Sequence, residues 1–254
     1  SDISDNHLFK SWRILNGNEE EGYINFKIGL SDLSGNIGDT ISITTDGSSI
    51  LYDRTPPIDF IIEEVLTNNG NQVEGYWNST NENLIFSIPI PDDNTLLDGG
   101  GIQIQASFLD SNYLDLGEVY YIEESELSDI KTIIIQKEYF QNLEGFNDDI
   151  NVNFRAKMWD KAGNFTNSSD NDDQLHIDIL DPIIEPVNMY SNNILDINWA
   201  KVSDSLFINF TSSETLLNSS VLINNSLSNT VNTSDFNWEF SDLISSDFIE
   251  GQVN

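Results

Sequence analysis

The chain has 254 residues, of which 43 are acidic and 10 are basic, so its formal charge is −33 at pH 7. Phosphate binding needs clustered Lys and Arg, so this balance excludes nucleic acid and anionic membrane surfaces as partners. Cysteine is absent, which excludes disulfide scaffolds and thiolate metal sites. Hydrophobic residues make up 38% of the chain, enough to form folded cores despite the acidity. No apolar run reaches about 18 residues, so no direct membrane insertion is predicted.

Along most of the chain, apolar and polar residues alternate with a period of two, which predicts β-strands. The predicted strands are short, and Asn, Asp, Gly and Ser separate them, a pattern typical of an all-β sandwich. The strand at 101–108 is predicted to have one dry face and one wet face. In chain order, the predicted strands are 7–14, 23–30, 39–45, 58–66, 84–90, 101–108, 117–122, 131–139, 150–158, 174–180, 194–199, 205–211, 220–224 and 236–240.

A stretch in the first part of the chain occurs again 128 residues later. Alternating residues 24–30 lead into Asp-Leu-Ser-Gly-Asn at 32–36, and alternating residues 152–158 lead into Asp-Lys-Ala-Gly-Asn at 160–164. The offset is 160 − 32 = 128. Internal repetition on this scale is typical of tandem modules. It predicts that Phe26 and Phe154 are buried equivalents.

A second repeat has an offset of 199 − 77 = 122. It pairs Trp77 with Trp199, and it predicts that Phe86 and Ile208 are also buried equivalents. A tryptophan that recurs at one position is interpreted as a core or module-packing residue, with a sugar-binding platform as the alternative. The remaining apolar matches are Leu84 with Leu206 and Ile88 with Phe210.

Proline-containing segments begin at Asp53 and Asp181, which also lie 128 residues apart. Proline fixes φ and removes a backbone donor, so each segment is predicted to end a strand and to stiffen a junction. We therefore divide the chain into three parts. Residues 1–54 are the C-terminal half of a module, residues 55–182 are a complete module of about seven strands, and residues 183–254 are the N-terminal part of a further module.

The repeated turn, followed by a strand and by Asp-Arg-Thr-Pro-Pro at 53–57, resembles the bacterial immunoglobulin-like repeats of large surface proteins and adhesins. Residues 205–214 resemble the early strand of such modules. The second junction departs from the pattern, because Asp-Pro-Ile-Ile at 181–184 lacks Thr-Pro-Pro. The resemblance implies tandem immunoglobulin-like β-sandwich modules in an extracellular, cell-surface protein.

On this resemblance, we expect a structural stalk, spacer or lattice segment of a large surface protein, of adhesin or surface-layer type, without catalysis. The expected partners are neighbouring modules of the same chain, and other copies in a lattice or a cell-surface glycan. The alternative is an adhesive or carbohydrate-binding module, as found accessory to secreted hydrolases.

The sequence gives little support for catalysis. Its two histidines, His7 and His176, lie in different predicted modules, and His176 is predicted to face away from the core that its neighbours enter. Carboxylate pairs say nothing about glycoside hydrolysis in a chain with 43 acidic residues. Neither a Gly-rich phosphate loop nor a Gly-x-Ser-x-Gly elbow occurs.

Two turn carboxylates and two junction carboxylates recur together and form the predicted metal site, for calcium. Calcium takes six to eight oxygen ligands, and a cation at a junction could lock two modules together. The alternative is that each aspartate is solvated or caps a turn, while the following glycine supplies a positive φ. The candidate ligands are Asp32, Asp53, Asp160 and Asp181.

Overall fold

The computed structural model describes residues 13–15, 17–109, 112–169, 174–223, 226–246 and 251. The chain divides into two compact units, one that ends at Ile179 and one that begins at Leu180. Strands dominate both units, which confirms the predicted all-β class. His7 and most of the predicted strand 7–14 lie outside the described residues.

The first unit contains eleven strands and one short helix among its described residues. The helix, α1 (Lys137–Gln141), and two 3₁₀ turns, at Asn94–Leu96 and Glu124–Glu126, interrupt the strands. The strands are β1 (Gly22–Tyr23), β2 (Leu51–Tyr52), β3 (Glu64–Asn68), β4 (Tyr76–Trp77), β5 (Asn83–Pro89), β6 (Gly101–Phe108), β7 (Leu114–Tyr121), β8 (Ile130–Gln136), β9 (Ile150–Trp159), β10 (Phe165–Asn167) and β11 (Leu175–Ile177). The second unit contains β12 (Ile184–Ser191), β13 (Ser205–Ser212), β14 (Ser220–Ile223), β15 (Ser226–Asn229), β16 (Val231–Ser234) and β17 (Asn237–Leu243).

Two sheets with a shared hydrophobic core build residues 57–179. One sheet has the strand order β3-β5-β8 and is antiparallel. The other has the order β4-β11-β9-β6-β7, in which β4 and β11 are parallel and β10 pairs with β9. The sheets meet where the rings of Phe86 and Phe154 lie edge to face, with centroids 5.2 Å apart. Period-two alternation therefore places one row of each strand in this core.

Strand β6 departs from the predicted dry and wet faces, because all eight of its residues are buried. Its outward polar side chains bond to neighbouring strands instead of to water. Gln103 donates to the carbonyl of Leu116 at 3.0 Å, and Gln105 donates to Asp115 at 2.6 Å. Since β6 lies between β7 and β9, long side chains of those strands cover its outer face. Alternation alone does not show where in the sheet a strand will lie.

Residues 22–52 form an irregular hairpin. β1 pairs with β2, and isolated bridges join Ile28 to Ile41 and Ser31 to Ile37. The predicted strands at 23–30 and 39–45 are reduced to these few pairings. Almost every residue of the hairpin is exposed.

The predicted burial of Phe26 is wrong. Phe26 is 37% exposed, whereas its repeat partner Phe154 is 3% exposed. The physical reason is that Phe154 faces β5 across the core, while the described residues provide no second sheet over the hairpin. Alternation marks the side of a strand that can be buried, but burial needs a partner.

The second unit has a four-stranded antiparallel sheet of order β12-β13-β17-β16 and a separate hairpin of β14 with β15. Its apolar cluster is small, and the buried members of that cluster are Leu206, Ile223, Phe240 and Ile244. Phe210 and Trp238 are also buried, and their rings stack on each other. Ile208 is half-buried against this cluster, so it matches the buried Phe86 only in part.

Two predicted elements have different structures. The predicted strand 194–199 consists of turns, because Asn193 and Asp196 accept backbone N–H groups two residues ahead and so compete with strand pairing. The strand of this region is β12, ahead of those turns. The predicted strand 131–139 ends at Gln136, where α1 begins.

Candidate functional site

The two repeated turns, at 32–36 and 160–164, have the same backbone hydrogen bonds. The Asp N–H donates to the Asn carbonyl, at 2.9 Å in the first turn and 3.0 Å in the second. The Gly N–H donates to the Asp carbonyl at 3.1 Å in both. Gly35 and Gly163 have φ values of +87° and +91°, a conformation that a residue with a Cβ rarely adopts. The repeat therefore encodes one specific turn, twice.

The first aspartate caps each turn with its carboxylate. Asp32 accepts the N–H of Asn36 at 2.7 Å, and Asp160 accepts both the N–H and the side-chain amide of Asn164 at 2.9 Å. The side-chain amide of Asn36, and then its backbone N–H, hold the pKa of Asp32 below its usual value. The copies differ in burial, since Asp32 is exposed and Asp160 is only 1% exposed.

The junction at residues 53–57 is held to the hairpin by Glu21. The carboxylate of Glu21 accepts the N–H of Arg54 at 3.1 Å and the hydroxyl of Thr55 at 2.7 Å. The Thr55 hydroxyl, and then the Arg54 N–H, lower the pKa of Glu21. A carboxylate that bonds two successive junction residues fixes the direction in which the chain leaves the hairpin.

The second turn holds the same junction from the other side. The Asn164 side-chain amide donates to the carbonyl of Asp53 at 3.3 Å and, at 2.9 Å, to the carboxylate of Asp160. The hydroxyl of Thr166 donates to the carbonyl of Pro57. From the sequence, the turn was assigned to its Asp and Gly alone, and this role of Asn164 was not predicted. The available signal was the recurrence of Asn at the end of both turns.

The chain enters and leaves residues 57–179 at opposite ends of β9. The junction contacts Asn164, in the turn that follows the last residue of β9, Trp159. The last strand, β11, pairs Ile177 with Ile150, the first residue of β9. Because β9 has ten residues and a strand rises about 3.3 Å per residue, entry and exit are about 30 Å apart.

The predicted calcium ligands do not form a ready cluster. Among the described residues, no three or more His, Cys, Asp or Glu side chains are grouped so that they could hold a metal. Asp53 accepts the N–H of Thr55 at 3.0 Å, and Asp181 is exposed in the second unit. Calcium ligation by these residues, with Asp32 and Asp160, stays a prediction.

His176 lies on the outer side of β11, between two buried neighbours, as predicted. Its Nδ1 is 2.9 Å from the side-chain oxygen of Asn151, and its ring meets the edge of Tyr76 with centroids 5.5 Å apart. Its Nε2 lies 3.5 Å from a carboxylate oxygen of Asp149. These three contacts fix the orientation of the imidazole on the outer side of the sheet.

The two repeated tryptophans have different environments. Trp77 is fully buried and lies edge to face with Phe140, with centroids 5.1 Å apart, so its predicted core position is confirmed. Trp199 is 72% exposed, so the same prediction is wrong for it. β4, which carries Trp77, pairs with β11, and the second unit has no equivalent of β11 among its described residues.

A shallow apolar cleft of about 360 Å³ lies beside the junction. Sugar recognition needs convergent polar groups, and among the described residues that line this cleft only Asp59 and Ser169 have polar side chains. The cleft fits an apolar protein side chain better than a sugar. The remaining lining residues are Ile58, Phe60, Ile61, Pro89, Ile90 and Pro91.

No protein-family model, curated protein or solved structure matches this chain. Among the residues that the structure describes, no helix has the length and apolar character that crossing a membrane requires.

Proposed function

We propose that the chain is a structural spacer or lattice segment of a large extracellular, cell-surface protein, of adhesin or surface-layer type, without catalytic activity. It consists of immunoglobulin-like β-sandwich modules arranged in tandem. The observation that carries the proposal is the position of entry and exit at opposite ends of β9, about 30 Å apart. A module with this geometry adds its full length to a chain of modules.

The clamped junction supports the same function. A spacer keeps its two ends at a fixed separation only when its linkers resist bending. The prolines at 56 and 57 already restrict the backbone. Glu21 on one side, and Asn164 with Thr166 on the other, add side-chain bonds to the same five-residue segment. The charge of −33 keeps such a surface hydrated and discourages non-specific association.

Junction stiffness tests the proposal. The chain has no cysteine, so spin labels at Ser48→Cys in the hairpin and Glu144→Cys beyond the junction would be the only labels. We expect pulsed electron–electron double resonance to give a single narrow distribution of the distance between the two labels. Glu21→Ala and Asn164→Ala should each broaden it, and the neighbouring control Glu20→Ala should not. A broad distribution in the otherwise unchanged chain would contradict a spacer role.

Carbohydrate binding is the second candidate, and the exposure of Trp199 is the observation that favours it. An exposed indole can stack on the apolar face of a sugar ring. A glycan array probed with the whole chain tests this function. Binding that is lost in Trp199→Ala and kept in Leu217→Ala, an exposed residue of the same unit, would support it.

A further inference from the structure

The outer face of the sheet in the second unit carries a row of three polar side chains, Asn188 of β12, Asn209 of β13 and Glu239 of β17. We call these three residues the polar row. They lie directly opposite one another, because the register pairs Asn188 with Asn209 and Asn209 with Glu239. Ile208, the preceding residue of β13, packs against the apolar cluster of this unit, so the polar row lies on the other side of the sheet. Opposed residues on one face have Cβ atoms about 4.5–5.5 Å apart, so the three side chains converge.

The side chains of the polar row are free to bond to a ligand. Within the part of the chain that the structure describes, none of the three takes part in a hydrogen bond or an ion pair. The next polar side chains on this face differ, since Thr211 donates to Asn237 at 2.9 Å and Asn237 donates to Ser234 at 2.9 Å. The polar row therefore holds the open hydrogen-bonding groups of this face, and the adjacent row is bonded to itself.

A depression of about 390 Å³ lies over this face, and all three residues of the polar row line it. Small-molecule sites have volumes of about 300–1,000 Å³ and contain a few polar groups that converge. Because the polar row spans three paired strands, the sheet fixes the positions of its side chains relative to one another. The depression therefore has the size and the ordered polar groups of a ligand site.

Two aromatic rings lie next to the depression. Tyr190 and Phe207 are each two residues from a member of the polar row along β12 and β13, so they share its side of the sheet. Two residues of a strand span about 7 Å. The rings are half-buried and stacked, with centroids 5.2 Å apart and planes 14° apart. Hydrogen-bonding groups beside an apolar ring surface suit a ligand that has both hydroxyl groups and apolar faces, as a sugar has.

The corresponding sheet of the first unit lacks this combination. The repeat offset of 209 − 87 = 122 pairs Asn209 with Ser87, and it pairs Phe207 with Ile85. Ser87 and Ile85 lie on β5, the central strand of the sheet β3-β5-β8. The equivalent positions thus carry a shorter polar side chain and an aliphatic one. The first unit therefore provides matched control positions within the same chain.

The chemistry of the polar row selects among ligands. An amide both donates and accepts hydrogen bonds and a carboxylate accepts them, which matches a hydroxyl group. Lys201 is the one basic residue between positions 180 and 254, so a phosphorylated or acidic ligand would meet Glu239 without a cation to balance it. A peptide would instead add to a sheet edge through its main chain, whereas the depression lies on a sheet face.

We infer that the outer face of β12-β13-β17 binds a neutral saccharide. The polar row hydrogen-bonds to the hydroxyl groups of one sugar ring, and Tyr190 and Phe207 pack against the next ring. This gives carbohydrate binding a site other than Trp199. The inference does not depend on the spacer role.

An array of oligosaccharides, probed with the whole chain, tests this site. The neutral set contains gluco-, manno-, xylo- and chito-oligosaccharides, and the acidic set contains sialylated and uronic-acid oligosaccharides. We expect binding to members of the neutral set alone. Calorimetric titration of a bound oligosaccharide then gives its dissociation constant, which Asn188→Ala and Asn209→Ala should each raise about tenfold. Asn188 is exposed, so its variant should fold, and circular dichroism checks both.

Two control variants locate the site. Ser87→Ala changes the position in the first unit that corresponds to Asn209, and Trp199→Ala changes the exposed indole of the second unit. Both should bind the oligosaccharide as the unchanged chain does. Phe207→Ala should weaken binding of a disaccharide or longer ligand more than binding of the monosaccharide, because the ring contacts the second sugar.

Three outcomes would overturn the site. The first is no binding to any neutral oligosaccharide at concentrations up to about 1 mM, where even a weak site is occupied. The second is binding to the acidic set that equals or exceeds binding to the neutral set. The third is a loss in Trp199→Ala or Ser87→Ala as large as the loss in Asn209→Ala, which would place the sugar elsewhere. A broad spin-label distribution would reject the spacer role but would leave the dissociation constant unchanged.

Discussion

The hairpin 22–52 and the segment β9 to β11 have matching sequences and opposite environments. Both contain a row of alternating apolar residues and an Asp-to-Asn turn with the same hydrogen bonds. In the hairpin the alternating row faces solvent, and in β9 it lies in the core. The comparison separates two kinds of information. The turn forms from local residues alone, whereas a strand is completed only by the sheet that packs on it.

The largest expected effect is a difference in unfolding free energy between the two phenylalanines of the repeat. Phe154→Ala removes a ring that packs against Phe86 and Phe140 and should cost about 3–5 kcal/mol. Phe26→Ala should cost less than about 1 kcal/mol, because its ring is already 37% exposed. Urea unfolding of both variants provides the measurement. Equal losses would mean that the hairpin face is covered within one copy.

The sequence predicted the strands that a local pattern marks. It did not predict which side chains are buried, because burial depends on residues far away in the chain. β5, β6, β9 and β13 lie within one or two residues of their predicted bounds, because uninterrupted alternation marks them. β12 was missed because Pro186 breaks its pattern. The exposure of Phe26 and Trp199 was missed because burial depends on a partner sheet that no local pattern reports.

The candidate site was predictable to a similar extent. Asp32 and Asp160 were placed correctly in the turns, since the Asp-to-Asn spacing with a glycine specifies that geometry. The contact of Asn164 with Asp53 joins residues 111 positions apart, and periodicity carries no information at that separation. The same holds for Glu21 and Thr55, which are 34 positions apart.

A smaller effect is expected for the two capping aspartates. Asp160→Ala leaves the N–H and the side-chain amide of Asn164 without their buried acceptor, and it should cost about 1–3 kcal/mol. Asp32→Ala should cost clearly less, because water can replace the carboxylate at an exposed turn. Thermal unfolding of both variants, with Asp39→Ala as an exposed control, provides the test. Equal losses at both positions would contradict the role given to burial.

The ion pairs of the hairpin and of residues 57–179 also differ in burial. Arg54 and Glu21 form an exposed pair at 3.7 Å at the base of the hairpin, and such pairs contribute little. In residues 57–179, Glu126 instead bonds to Lys131 and to the hydroxyl of Tyr120, with both charged side chains partly buried. Burial raises the pKa of Glu126, but the hydrogen bonds from Lys131 and Tyr120 outweigh it, so the net pKa is below the usual 4.5.

This network predicts a pH dependence. A carboxylate with a lowered pKa in the folded state stabilises the fold above its usual value of 4.5, and the contribution is lost as the pH falls through the lowered pKa. Glu126→Gln should therefore cost about 1–2 kcal/mol at pH 7, and its difference from the unchanged chain should shrink below pH 4.5. Melting curves between pH 3 and 7 measure both quantities. If the stability difference between Glu126→Gln and the unchanged chain stayed constant across that range, Glu126 would not be a source of the pH dependence.

The smallest expected effect concerns calcium at Asp32, Asp53, Asp160 and Asp181. The carboxylates of Asp32, Asp53 and Asp160 already accept hydrogen bonds from their own turns, so a cation would have to displace amide donors. Binding to the folded form stabilises it by RT ln(1 + [L]/Kd), which is about 0.4 kcal/mol when calcium equals its Kd. That corresponds to a rise in melting temperature of about 1–2 °C for a chain of this size.

Screening by salt must be separated from such binding, because any salt relieves the repulsion of a chain with charge −33. The comparison is between EDTA, millimolar calcium chloride and sodium chloride of equal ionic strength. We expect the calcium sample to melt slightly above the sodium sample. We expect Asp32→Asn to reduce that difference more than Asp160→Asn does, because the exposed carboxylate is open to a cation and the buried one is enclosed. Equal melting temperatures in the two salts would assign all four aspartates to turn capping and surface solvation, and would leave the packed sheet as the one difference between the hairpin and its copy.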